Sequence, residues 1–233
     1  MVLSGADLLT NPKVDFPNEH PVQSGDSILF ENGGRFQKLV EYWINADGSV
    51  PATGEFSIAG AWNLTRLTCR DVRGCSGGEV DWDPHVMITD GTTLLGLEVA
   101  NNDNGTLFTA RVSDLGTVGG TRVNDAILGM NTGFPAVGGS VAIPFVFTLT
   151  DTTTRLETDF LGVHRSFAWD IQLGRGPTAL ALVLMQDNDD GERYQVNSLT
   201  VPESTPSTGV PEPATLALVA LGLAGLGFSR RKQ

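Results

Sequence analysis

From Ser27 onward the chain sets short apolar stretches between clusters of Gly, Asn, Asp and Thr. Ile28 to Glu31, Phe36 to Ile44, Glu55 to Leu67, Val86 to Thr89, Thr93 to Ala100, Leu107 to Ser113, Val141 to Thr150, Ser166 to Leu173, Ala179 to Gln186 and Arg193 to Leu199 read as strands. In Val141 to Leu149 every odd position is apolar, which turns one side of a pleated strand to a core and the other to water. Pro144 inside that run predicts an edge strand or a bulge, because proline cannot donate to a ladder. Glu31-Asn32-Gly33-Gly34, Asp47-Gly48, Asp90-Gly91, Asn101 to Gly105, Gly138-Gly139 and Asp187 to Gly191 read as hairpin turns, since Asn, Asp and Gly tolerate positive φ. No upstream segment sustains helical periodicity. The pattern predicts a mostly β chain, with an antiparallel β-sandwich or jelly-roll-like domain over residues 1–200.

Beyond Leu199 the pattern changes. Residues 201–209, Val-Pro-Glu-Ser-Thr-Pro-Ser-Thr-Gly, lack large apolar side chains after Val201 and predict an extended, solvated linker. Residues 210–233 then run through Pro211-Glu212-Pro213, an uncharged Ala/Leu/Gly stretch from Ala214 to Phe228, and the cations Arg230, Arg231 and Lys232. Leucines at 216, 218, 221, 223 and 226 cover all sides of a helix, which suits lipid better than a protein core. At about 1.5 Å per residue the stretch spans about 22 Å, short of a hydrocarbon layer of about 30 Å. Pro213 can begin the helix, and Arg230, Arg231 and Lys232 can snorkel to the far headgroups. One short C-terminal transmembrane helix is therefore predicted, with the three cations holding its end in the cytoplasm.

This tail resembles the PEP-CTERM sorting signal of Gram-negative bacteria that make extracellular polysaccharide. The resemblance rests on Val210-Pro211-Glu212-Pro213, on the short helix with Gly222, Gly225 and Gly227, and on Ser229-Arg230-Arg231-Lys232. It implies a membrane-embedded exosortase as partner, which recognises Pro211, Glu212 and Pro213 and releases or transfers the upstream domain. It also implies at least transient residence in the inner membrane, delivery to the cell envelope or the extracellular matrix, and polysaccharide as a neighbour there. It covers only the tail and leaves the upstream domain unidentified.

Charge narrows the partners. The 233 residues carry 27 acidic against 15 basic side chains, a net charge of −12, and the tail itself is net positive, so the upstream part is more acidic still. Such a surface repels phosphates, and nucleic acid is not an expected partner. Met1 to Leu9 contains no cation and is interrupted by Asp7, so no signal peptide is visible. A sorting tail requires export, and the expectation is a start of translation upstream of Met1 or a shortened sequence.

Candidate chemistry in the upstream part is sparse. Cys69 and Cys75 bracket Arg70-Asp71-Val72-Arg73-Gly74, and in an oxidising compartment they predict a small-loop disulfide. Zinc would need further ligands, and only His85 is near in sequence. Gly74-Cys75-Ser76-Gly77-Gly78 matches a nucleophile elbow literally, but the turn-like Glu79 to Pro84 follows where a helix is required. His85 and His164 could each act as a base, with no partner deducible from spacing. No cofactor is expected. The oxygen-rich Asp187-Asn188-Asp189-Asp190-Gly191-Glu192 and Asn101 to Gly105 admit calcium, although Gly191 falls at the fifth rather than the sixth position of an EF-hand-like loop. Trp169 is expected in the core among Phe167, Ile171 and Leu173, and alternation separates Trp43 from Tyr42 and Ile44. The resulting expectation is an exported, non-catalytic β domain, structural or glycan-binding. The alternative is a secreted, glycan-active hydrolase using two carboxylates.

Overall fold

A computed structural model describes residues 1–18, 20–30, 37–46, 48–67, 84–102, 105–114, 127–131, 138–160, 162–176, 180–186 and 194–201. All of these fall in one compact unit, Met1–Pro202. The strands are β1 (Val2–Ser4), β2 (Val14–Asp15), β3 (Val22–Ser24), β4 (Ser27–Phe30), β5 (Gln37–Trp43), β6 (Phe56–Arg66), β7 (Pro84–Thr89), β8 (Thr93–Asn102), β9 (Gly105–Asp114), β10 (Ile127–Asn131), β11 (Ser140–Leu149), β12 (Thr154–Phe160), β13 (Val163–Trp169), β14 (Ala181–Gln186) and β15 (Tyr194–Thr200). They form two antiparallel sheets. The first has the order β13-β12-β11-β6-β15-β4-β3, with β1 also on β15, and the second the order β10-β9-β8-β7-β14-β5-β2. The expected sandwich is present.

The core lies between the sheets because each strand turns alternate residues inward. Val141, Ile143, Phe145, Phe147 and Leu149 of β11 face Leu64, Trp62, Gly60, Ile58 and Phe56 of β6 in register. Trp62, Phe145 and Phe147 join Val86, Ile88, Leu95, Leu97, Leu182 and Leu184 of the second sheet in one buried cluster. Trp169 is in that cluster, its ring centroid 4.8 Å from that of Phe167 in an edge-to-face arrangement. Tyr42 and Ile44 are in it too, while Trp43 is not.

The expectation for Pro144 is corrected in part. β11 is not an edge strand, since it lies between β12 and β6, and Pro144 pairs in register with Ala61 rather than at a bulge, but its other side is locally unpaired. It is tolerated because the ladder between β11 and β12 reaches only to Val146 and Glu157, so no donor is missed, and the Thr158 hydroxyl donates to the Pro144 carbonyl.

Most of the turn signals do not close hairpins either. Asp90-Gly91 and Asn101 to Gly105 do, between β7 and β8 and between β8 and β9. The connections through 31–34, 47–48, 138–139 and 187–191 instead carry the chain from one sheet to the other. Asn, Asp and Gly supply the same backbone freedom to any reversal, so composition alone does not say which sheet the chain enters next.

One helix, α1 (Gly5–Thr10), follows β1. Ser4 caps it: Ser4 Oγ accepts from the Asp7 N–H, and the Asp7 carboxylate accepts from the Ser4 N–H. The Ser4 hydroxyl also donates to Asp7 Oδ2 at 2.8 Å, and this bond first, then the one from the Ser4 N–H, holds the Asp7 carboxyl below its usual range. Gly5 packs so tightly on β4 that a Cβ there would come within 2.5 Å of the Ile28 nitrogen.

Candidate functional site

The outward face of the second sheet carries side chains that an ordinary solvated sheet face would not bury. Register places Lys38, Met185, His85 and Glu98 in one cross-strand row. Glu41, Val183, Met87 and Gly96 form the next, and Trp43, Ala181, Thr89 and Leu94 the third. Met87, Leu94, Val183 and Met185 make a small apolar cluster separate from the main core. His85, Glu98 and Glu41 are 1%, 5% and 6% exposed.

A bulge arranges the charges. The register between β14 and β5 shifts between Leu184/Val40 and Met185/Lys38, leaving Leu39 as the extra residue. In a regular strand, residues three apart point to opposite faces; the extra residue brings Lys38 and Glu41 to the same one, where they form an ion pair.

A second polar constellation lies on the outward face of the first sheet, again at a bulge. Asn197 is the extra residue where the register shifts between Val196/Leu64 and Ser198/Asn63. Its Oδ1 accepts from Ser27 Oγ at 3.0 Å and Gln195 Nε2 at 3.0 Å, and its Nδ2 donates to Thr65 Oγ1 at 2.9 Å. The network links β4, β15 and β6 through one amide.

At one end of the sandwich, Asp90 Oδ1 accepts from the backbone of Thr92 and Thr93, each at 2.9 Å, and Oδ2 accepts from Gly174 N–H at 2.9 Å. Burial pushes this carboxyl up, but the Gly174, Thr93 and Thr92 donors outweigh it, and the pKa lies below the ordinary carboxylate value.

Among the predicted residues, His85 is buried on the second sheet, while His164 is exposed and its Nδ1 lies 2.9 Å from Asp159 Oδ1. The two histidines sit on opposite sheets and are not brought together. Cys69 and Cys75, the Gly74 to Gly78 stretch, Asp187 to Glu192, the linker beyond Val201 and the whole tail, with Pro211, Glu212, Pro213, Arg230, Arg231 and Lys232, lie outside the described residues. Among the described residues no group of three His, Cys, Asp or Glu could hold a metal ion, and no helix is long and apolar enough to cross a membrane.

Lys38, Glu41, Glu98 and Asn197 were not singled out by sequence. A signal existed for two of them: Glu41 interrupts Leu39-Val40-Tyr42-Trp43, and Glu98 interrupts Leu94 to Val99.

The fold and the tail identify two separate things. The PEP-CTERM protein-sorting motif is present at residues 209–232, the C-terminal tail. This sorting signal implies export to the cell envelope or the extracellular space. Comparison with curated proteins finds no match. Among solved structures, the chain is similar to the CBM2 module of the evolved Dit of Lactobacillus casei BL23 phage J-1, with a TM-score of 0.51, 10% identity, and 86% of this chain and 93% of that one covered. The likeness extends to the β-sandwich fold. The basic winged bean lectin solved with Tn-antigen has a TM-score of 0.47 at 10% identity, with 82% of this chain and 92% of that one covered. Peanut lectin solved with a 9mer peptide has 0.45 at 13% identity, with 82% and 91% covered.

Proposed function

We propose that this chain is an exosortase substrate, exported to the cell envelope or extracellular matrix, whose sandwich is a non-catalytic structural or glycan-binding unit. The observation that carries the reading is the sorting motif at residues 209–232. In this reading Pro211, Glu212 and Pro213 are the recognition signal, and residues 214–228 are a membrane anchor that lasts until processing. Arg230, Arg231 and Lys232 keep the end of that anchor cytoplasmic. Residues 201–209 give the membrane enzyme room to reach the signal without unfolding the sandwich. Extracellular polysaccharide is the proposed neighbour of the released domain.

One pair of described carboxylates is too far apart to serve the hydrolytic alternative. Glu41 and Glu98, the buried carboxylates of the second sheet, stand on β5 and β8 with β14 and β7 between them. Three inter-strand spacings put them about 14 Å apart, beyond the roughly 5–9.5 Å that glycosidase carboxylate pairs use.

The test is replacement of Pro211, Glu212 and Pro213 by alanine in the native host, followed by pulse-chase. The reading predicts that the precursor persists in the inner membrane. Unchanged processing and location would contradict it.

A further inference from the structure

We propose that Arg175 is the seat of a carboxylate-binding site at the end of the sandwich. There the segment after β13 meets the connection between β5 and β6 and the turn between β7 and β8. The inference stands apart from the export reading, because it concerns the folded domain wherever that domain resides.

Arg175 is 8% exposed. One corner of its guanidinium is held: Nη1 donates to the Gly54 carbonyl at 2.6 Å and to the Pro51 carbonyl at 3.4 Å. Its Nε and Nη2 are buried with no acceptor. These two nitrogens form one edge of the planar group, and their parallel N–H bonds match the two oxygens of a carboxylate. Among the described residues no Asp or Glu is placed against Arg175. A buried cation met only by neutral carbonyls leaves part of its desolvation uncompensated. A carboxylate on this unpaired edge supplies the opposite charge and both missing acceptors at once.

The edge is positioned in advance. Gly174 N–H is tied to Asp90, and the Arg175 carbonyl accepts from Asn45 Nδ2 at 2.9 Å. The same amide donates to the Gly176 carbonyl at 3.1 Å, and its Oδ1 accepts from Val50 N–H at 2.8 Å. With both flanking strands of backbone tethered, little ordering is left for binding to cost. Asp90 and Asp151 both hold this end, Asp151 by accepting from Gly54 N–H at 2.8 Å. The two parallel N–H bonds of the unpaired edge match the two oxygens of a carboxylate, supplied by a small organic acid or by a uronic acid unit of a sugar chain.

The test is thermal melting of the full-length protein at constant ionic strength with acetate, glucuronate, an oligogalacturonate, or glucose as the neutral control. A second reading follows the arginine Nε–H resonances by NMR on the unmodified protein, which needs no variant to fold. The expected result is a saturable rise in Tm of about 5 °C with carboxylates and none with glucose, with one Nε–H moving along the same curve. Arg175→Lys, which keeps the charge and loses the paired edge, is expected to abolish the shift. Response to acetate and glucuronate alike identifies a small-acid site; response to glucuronate and the oligomer without acetate identifies a uronic acid site. The absence of any saturable shift, or a shift undiminished in Arg175→Lys with no Nε–H moving, would overturn the proposal.

Discussion

Met1 and Val201 exchange two hydrogen bonds: the Met1 amino group donates to the Val201 carbonyl at 2.9 Å, and Val201 N–H donates to the Met1 carbonyl at 3.1 Å. They extend the pairing of β1 with β15, in which Leu3 lies opposite Leu199 and faces the core. The pairing of the two strands thus continues past Thr200 to Val201. Leu3→Ala is expected to cost about 2–3 kcal/mol in denaturant unfolding, as for other buried leucines. Val2→Ala, on the solvent side of the same strand, should stay within about 0.5 kcal/mol. Equal effects of the two would mean that β1 is not docked in solution.

Gly96 lies opposite Met87, and a Cβ added there would sit 2.2 Å from the Val86 carbonyl oxygen and 2.5 Å from the Met87 sulfur. The sulfur can move and the backbone oxygen cannot. Gly96→Ala should therefore destabilise the protein by about 1–3 kcal/mol, and trimming the sulfur with Met87→Ala in the same chain should not rescue it. Gly91→Ala, where a Cβ would meet nothing within 4 Å, tests only backbone strain at φ 90°. It should change stability without disturbing the neighbouring strands.

The Asp90 to Gly174 contact makes a pH prediction with a definite sign. The folded-state pKa is lowered, so as pH falls the unfolded chain takes up the proton first. The contribution is complete above the unfolded value of about 3.9 and is lost as pH falls through the folded value. Asp90→Ala should be less stable than the parent by about 1–2 kcal/mol at pH 7, and the gap should narrow below about pH 4. A gap that is constant down to pH 2.5 would show that the carboxylate charge contributes nothing.

Cys69 and Cys75 are proposed to be disulfide-bonded in the exported protein. Mass spectrometry after alkylation without reductant should show neither sulfur labelled. Cys69→Ser, Cys75→Ser and the double variant should each lower stability by about the same amount, about 2 kcal/mol for so short a loop. Labelling of both sulfurs in material from the envelope would contradict the pairing.

Much of the sandwich was legible because burial on one face leaves a period of two, as in Val141 to Leu149. β12 was missed although Leu156, Thr158 and Phe160 alternate with Arg155, Glu157 and Asp159, because threonines occupy inward positions that a hydrophobic count skips. β1, β2 and β3 are too short to carry a period, and α1, six residues long, completes fewer than two turns. The sites were less legible for a different reason. Lys38 beside Glu41, and Asn197 amid Ser27, Gln195 and Thr65, depend on bulges, and an extra residue leaves no mark in composition. Arg175 looks like any surface arginine until Gly54 and Pro51 close around it. The sorting motif of the tail was readable because order, position and charge make up its signal, independently of any fold.

Export with processing at the tail is the central claim, and the protein taken from its native host tests it most directly. Inner membrane, outer membrane and medium would be separated, and the C-terminal residue of the chain in each determined by intact mass spectrometry. The account predicts a species ending near Pro211 to Pro213, found outside the inner membrane. A chain ending at Gln233 in the cytoplasm, or held at full length in the inner membrane at steady state, would contradict it.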